Sequence, residues 1–212
     1  MAKVEIFGLP RSTYTRVVRL VCEEKGIDYE LTAVPPHSPT VTAIHPYGKI
    51  PVMRHGDFAL FESKAIATYL DRHFPGARLI PDEPRLAALT EQWISLVNGV
   101  MDGTLIRTYV LAYVFPKGAD GTPDRRAVDA VIPTMRAQLQ LLDKTVAETG
   151  FLVGDAVTLA DLYVLPILYY LRQFPESAQA LAEATHLTAY YDRLSTRPGF
   201  QNTMPPHQGL RR

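Results

Sequence analysis

The chain is poor in thiols. It has one cysteine, Cys22, in 212 residues, which excludes an intrachain disulfide, a Cys-x-x-Cys redox pair and a cysteine-based zinc cluster. It has no excess of either charge: 22 Lys and Arg balance 22 Asp and Glu. A general nucleic-acid or acidic-membrane binder needs a net basic face, so neither partner is expected. Long apolar runs are also missing. Leu162–Leu171 is the most apolar stretch, is too short to span a bilayer and contains Pro166. The first residues, from Met1 to Ile6, lack the apolar core of a signal peptide. These absences lead us to expect a soluble cytoplasmic protein, of a length that suits one large domain or two small ones.

What is present falls into two halves. Val4–Gly8 reads as a short strand stopped by Gly8-Leu9-Pro10. A helical pattern follows, with Val17, Leu20 and Val21 on one face beside Val18 and Cys22, and Gly26 at its end. Tyr29–Val34 alternates as a second strand. Pro35-Pro36-His37-Ser38-Pro39 is expected to be irregular, because proline has no N–H to donate. Pro51–Arg54 and Phe58–Phe61 flank His55-Gly56-Asp57 as a hairpin. Glu62-Ser63 then opens a helix bearing Ile66, Tyr69, Leu70 and Phe74. One crossover and one hairpin predict a small mixed sheet with helices packed on it.

Past Pro84 the pattern becomes helical throughout. Leu86, Leu89, Trp93, Leu96, Val97, Val100 and Thr104 predict one face of a long helix. Val128, Ile132, Met135, Leu139, Leu142 and Val146 predict a buried stripe, with a kink or a late start at Pro133. Gly118–Pro123 reads as the connecting loop. Thr158-Leu159-Ala160-Asp161 reads as a capping box, with Asp in place of Glu, at the head of a central apolar helix. The expected organisation is residues 1–80 as an α/β domain, 81–85 as linker and 86–212 as an all-α domain.

Four blocks in this order resemble the cytosolic glutathione transferases. Gly8-Leu9-Pro10-Arg11-Ser12 with Thr15-Arg16-Val17 is similar to the first strand–helix turn of the serine-type classes, nearest to phi and bacterial members. His45-Pro46-Tyr47-Gly48-Lys49-Ile50-Pro51-Val52 is similar to the family's Asn-Pro-x-Gly-x-Val-Pro run. Phe61-Glu62-Ser63-Lys64-Ala65-Ile66 resembles its Glu-Ser helix start. Phe151-Leu152-Val153-Gly154-Asp155, leading into Thr158–Asp161, resembles the cap of its second domain. The resemblance runs from about Lys3 to Gln201. It implies a thioredoxin-like domain with a four-stranded mixed sheet, a helical second domain, a homodimer, glutathione on the first domain and an acceptor pocket between the domains.

The resemblance also implies site residues. About one X–Pro bond in twenty is cis, so sequence alone favours trans at Pro51, whereas the family keeps cis. A cis bond would turn the polar groups of Ile50 toward the cysteinyl backbone of the ligand, as an added strand would. Ser63 would donate to the γ-glutamyl carboxylate and Glu62 would accept its ammonium, although an ordinary cap explains the same pair. Lys49 and His37 are candidates for the glycyl carboxylate; for His37 a solvated loop histidine remains the alternative. Ser12 would stabilise the glutathione thiolate, with Thr13, Tyr14 and Thr15 as rival hydroxyls and a plain helix cap as the alternative role. Leu9, Arg11, Tyr109, Tyr113 and Phe115 are candidates for the acceptor pocket, though aromatic residues of this kind also serve as core. Arg16 is given no catalytic role, though it could pair with a nearby acid, and Cys22 is expected to be a buried core thiol. No metal or further cofactor is expected. The implied activity is conjugation of the glutathione thiolate to a small electrophile, as in detoxification. Peroxidase, dehalogenase or isomerase chemistry on the same site, and a non-catalytic binding or regulatory module, are the alternatives. A thiol-disulfide oxidoreductase would need a cysteine in the Pro10–Ser12 turn.

Overall fold

The computed structural model describes residues 3–118 and 120–206. Met1, Ala2, Ala119 and residues 207–212 lie outside the described residues, and with them the outer limits of both expected domains and part of the expected Gly118–Pro123 loop. The chain divides into two compact units, one of residues up to Asp82 together with Thr196–Pro206, the other of Glu83–Ser195.

In the first unit β1 (Val4–Phe7), β2 (Tyr29–Thr32), β3 (Val52–His55) and β4 (Phe58–Phe61) form one sheet in the order β2-β1-β3-β4. The β1–β2 pair is parallel because α1 (Thr13–Lys25) crosses between them. The β1–β3 and β3–β4 pairs are antiparallel. The hairpin turn is tighter than expected: His55 pairs with Phe58, leaving only Gly56-Asp57 between the strands. α1 buries Val17, Val18, Leu20, Val21 and Cys22, and ends on Gly26 in the left-handed conformation. α3 (Ser63–His73) buries Ile66, Ala67 and Leu70. Burial pushes the Cys22 thiol well up, so it stays a protonated core group.

Pro39 departs from the irregular segment expected of it. It opens a one-turn helix, α2 (Pro39–Thr42), at a position where a missing N–H costs nothing. Val41 of that turn packs with Phe7 and Val52, and Val34, Ile44 and Ile50 close around them. The 33–51 connection is thereby tied to the sheet.

The sequence also assigns everything after residue 85 to the second domain, yet Thr196–Pro206 returns to the first unit. Two buried arginines of α1 hold it. Arg16 donates to Thr203 Oγ1 (3.3 Å) and to the Phe200 carbonyl (3.1 Å), and its guanidinium lies 4.0 Å from the centre of the Phe200 ring. Arg19 donates to the carbonyls of Thr203 and Asn202. Arg16 thus meets a hydroxyl, a carbonyl and a ring face of the returning segment.

The second unit is helical: α4 (Pro84–Leu96), a π-helix (Val97–Val110), α5 (Leu111–Val114), α6 (Arg125–Thr149), α7 (Leu159–Leu171), α8 (Pro175–Glu183) and α9 (Thr185–Ser195), with α10 (Pro198–Asn202) in the returning segment. The π-helix changes which side chains face inward. Its buried positions are Val97, Met101–Asp102, Leu105–Ile106 and Tyr109–Val110, a wider repeat than an α-helix has. Arg107 reaches Asp102 and Thr108 reaches the Gly103 carbonyl, both five residues back along the wider turn. Val100, placed inward by α-helical spacing, is consequently exposed; Leu89, in α4, is exposed as well. α6 runs unbroken from Arg125, so Pro133 does not delay its start, and Val128, Met135, Leu139, Leu142 and Val146 are buried as the spacing requires. α7 buries 12 of its 13 residues. Its capping box forms: Asp161 accepts from the Thr158 N–H at 2.7 Å.

Candidate functional site

The strand register gathers the candidate residues at one end of the sheet. Phe7, the last residue of β1, stands opposite Thr32 on one side and Val52 on the other, and Val52 stands opposite Phe61. The segments that run off this end are therefore 8–12, 33–38, 50–51 and 62–63. They carry Ser12, His37, Ile50-Pro51 and Glu62-Ser63.

Ser12 is the N-cap of α1. Its Oγ accepts the Thr15 N–H at 3.3 Å, which fixes the hydroxyl at the helix entrance and leaves its proton to donate. The first turn of α1 contains no acidic residue, so the positive end of the helix has no carboxylate of its own. Among the rival hydroxyls Thr15 is set aside: it is fully buried, and a methyl group on Gly8 would stand 2.5 Å from its Oγ1. Leu9 and Arg11, on the same turn, are exposed.

The Ile50–Pro51 peptide is cis. Just upstream, His37 and Gly48 are brought together across eleven residues of chain. The His37 N–H donates to the Gly48 carbonyl at 2.8 Å, and the imidazole packs on Gly48 so closely that a Cβ there would lie 2.4 Å from Nδ1. Gly48 also has φ +61°, so a side chain is excluded by backbone and by space. His37 and Lys49 are both exposed beside this contact.

Glu62 precedes α3 with φ +68° and ψ +114°, outside the regions that L-residues favour. Such a conformation costs about 1–3 kcal/mol and collects at functional positions. It leaves the Glu62 side chain 65% exposed while Ser63, the first residue of α3, is buried. The start of α3 also lacks an acid in its first turn. A helix start of this kind presents backbone N–H groups that suit a carboxylate ligand.

His45 is a residue whose place at the site the sequence did not reveal. It is 2% exposed, its Nδ1 accepts the Tyr47 N–H at 3.0 Å, and its Nε2 lies 3.4 Å from Glu62 Oε1. The sequence signal was slight: a histidine where the resembling run begins with asparagine.

Tyr109, Tyr113 and Phe115 belong to the second unit and do not form a common wall. Tyr109 is fully buried and has no surface to offer a ligand; its hydroxyl donates to Glu176 at 2.9 Å and accepts from the Ser177 N–H. Tyr113 donates to the same carboxylate at 2.5 Å and stacks on Phe174. Arg125, at the start of α6, donates to Glu176 at 2.6 Å. Phe115 is 66% exposed. The aromatic residues at 109 and 113 thus join a polar cluster that ties the end of the π-helix to the starts of α6 and α8. Partial burial alone would push the Glu176 carboxyl up, but bonds from Tyr113, Arg125 and Tyr109 hold it down at about 2, against an ordinary 4.5. The folded value is depressed, so the stabilisation is complete above about 4.5 and is lost as pH falls toward about 2. Glu176→Gln is expected to cost about 2 kcal/mol at neutral pH, discounted for the exposed Arg125. Urea unfolding of both proteins at neutral pH and near pH 3 checks this; the gap between them should narrow in acid.

A family model described as "Glutathione S-transferase, N-terminal domain" matches residues 6–78, and one described as "Glutathione S-transferase, C-terminal domain" matches residues 105–198. The chain is 30% identical over 213 residues to glutathione S-transferase 3 of Zea mays, covering 96% of this chain and 94% of that protein. Its fold is similar to the crystal structure of glutathione transferase F7 from Populus trichocarpa, with a TM-score of 0.85 and 29% identity over 94% of this chain and 97% of the other. It is also similar to maize glutathione S-transferase I in complex with an atrazine glutathione conjugate, with a TM-score of 0.83 and 26% identity over 95% and 96% of the two chains.

Proposed function

The chain belongs to the glutathione S-transferase family, and from that premise we propose that its first unit binds glutathione at the end of the sheet and activates the thiol for transfer to small electrophiles. The observation that carries the reading is the convergence of Ser12, the cis Ile50–Pro51 peptide and the Glu62–Ser63 helix start on that one end.

Glutathione offers three groups to recognise. Ser63 and the α3 N-terminus take the γ-glutamyl carboxylate, and Glu62 takes the neighbouring ammonium. Ile50, ahead of Pro51, offers main-chain groups to the cysteinyl unit. Lys49 and His37 take the glycyl carboxylate. This places the thiol at the entrance to α1. There the Ser12 hydroxyl and the helix end favour thiolate over thiol. The thiol proton leaves to solvent, the sulfur lone pair forms a bond to the electrophilic carbon, and a leaving group departs with its bonding pair. Leu9 and Arg11, exposed beside Ser12, are the first-unit side chains that meet the acceptor.

Ser63→Ala is expected to weaken glutathione binding about tenfold, the value of a hydrogen bond to a charged group. Isothermal titration calorimetry checks this, and an unchanged affinity removes Ser63 from the γ-glutamyl site.

The same reading includes a homodimer and a cytoplasmic, detoxifying role. Large apolar side chains stand exposed in each unit, Tyr47 and Phe58 in the first and Leu89 and Val100 in the second, and pairing would cover such surface. Among the described residues no helix is long and apolar enough to cross a membrane.

A further inference from the structure

We propose that His45 is a positioning residue for glutathione: it holds the Glu62 carboxylate in place to receive the ligand's ammonium, and so fixes the γ-glutamyl subsite to the Gly48–Pro51 segment. The inference rests on the glutathione reading above.

Glu62 needs such a hold. Its carboxylate is largely in water, on a flexible side chain, and its backbone is in a costly conformation. Left to itself, a side chain of this kind samples several rotamers, and ordering it on binding would be charged against affinity. His45 differs in every respect. Its backbone is fixed at both sides, the N–H donating to the Val41 carbonyl of α2 at 2.7 Å and the carbonyl accepting from the Gly48 N–H at 2.9 Å. Its ring is buried and packs 4.8 Å from that of Phe61, the last residue of β4 and the neighbour of Glu62.

The two ring nitrogens have separate tasks. Nδ1 accepts the Tyr47 N–H, so the neutral ring carries its proton on Nε2. Nε2 is the atom that faces Glu62 Oε1 at 3.4 Å. This polar contact, long for a hydrogen bond, steers one carboxylate oxygen and leaves the other for an incoming ammonium. The segment that carries His45 also leads to the cis Ile50–Pro51 peptide. The strut therefore joins the γ-glutamyl and cysteinyl parts of the site through one buried ring.

The division of tasks makes the role separable from folding. His45→Asn keeps an acceptor near the Nδ1 position but is too short to reach Glu62. His45→Gln places an amide N–H near the Nε2 position and gives up the Tyr47 contact. Calorimetric titrations use glutathione and a deamino analogue, glutaryl-cysteinylglycine, which lacks the ammonium. For His45→Asn we expect about fivefold weaker binding of glutathione, the value of one partly exposed polar contact, with the analogue's affinity unchanged. His45→Gln should recover most of the glutathione affinity even if its melting temperature falls. Equal weakening toward both ligands, or His45→Asn binding glutathione as the wild type does, overturns the role of His45 alone. Wild-type protein that fails to bind glutathione at millimolar concentration overturns the glutathione reading itself, and this inference with it.

Discussion

Ser12→Ala is expected to lower kcat/KM at neutral pH about 100-fold with a chlorodinitrobenzene-type acceptor, the effect of a two-unit rise in the thiol pKa. The size follows from what the hydroxyl does. A free thiol is mostly protonated near neutrality, and lowering its pKa by two units takes about 2.7 kcal/mol. A charge-assisted hydrogen bond with the field of a helix end is of that order. Ser12 is placed for both, because its Oγ is already fixed on the Thr15 N–H at the entrance of α1. The substitution also removes that cap, a loss of about 1 kcal/mol to the helix. Ser12→Thr separates the two effects, since it keeps hydroxyl and cap and should recover activity that Ser12→Ala loses. If Ser12→Ala retains activity within about twofold, which is below half a kcal/mol, the hydroxyl belongs to Thr13 or Tyr14. Thr15 is too deeply buried beneath Gly8 to serve.

The second large effect is on stability. Asp161→Ala is expected to cost about 3–5 kcal/mol, because it removes the acceptor from a buried polar network. Asp161 is fully buried. One oxygen accepts from the Leu152 N–H at 3.1 Å and the Tyr190 hydroxyl at 2.9 Å; the other accepts from the Thr158 N–H at 2.7 Å and hydroxyl at 3.0 Å. Burial pushes the carboxyl up while these four donors pull it down, and burial prevails. Removing the carboxyl leaves donors of three segments buried without an acceptor, beside the helix on which the second unit is built. Against a typical total of about 5–15 kcal/mol such a loss is severe. In thermal unfolding the midpoint should fall by roughly 10 °C. A midpoint within about a degree of wild type would show that the box contributes little.

The sequence made the sheet and its turns legible because each boundary carries its own chemistry. Gly8-Leu9-Pro10, Gly26, Gly56 and Pro75-Gly76 stop elements wherever they fall, and Thr158–Asp161 is a local reciprocal bond that four residues fully specify. Ser12, Pro51 and Glu62-Ser63 were likewise readable as cap, strand start and helix start. Features that depend on distant partners were not. Arg16 and Arg19 hold the 196–206 segment through carbonyl and hydroxyl oxygens, which leave no charge pattern to read. The π-helix escaped notice because Leu96, Val97 and Val100 fit an α-helical face equally well until the wider turn moves Val100 outward. Tyr109 and Tyr113 looked like pocket aromatics because Glu176, their partner, lies more than sixty residues on. His45 was hidden for the same reason: its link to Glu62 exists only once β3 and β4 are paired.

The central claim is that the end of the sheet binds glutathione and makes its sulfur a thiolate. Ultraviolet titration of the thiolate in the saturated wild-type complex tests it most directly. A bound thiol titrating about two units below the free value is the predicted result; a bound thiol titrating as it does in free glutathione would contradict it.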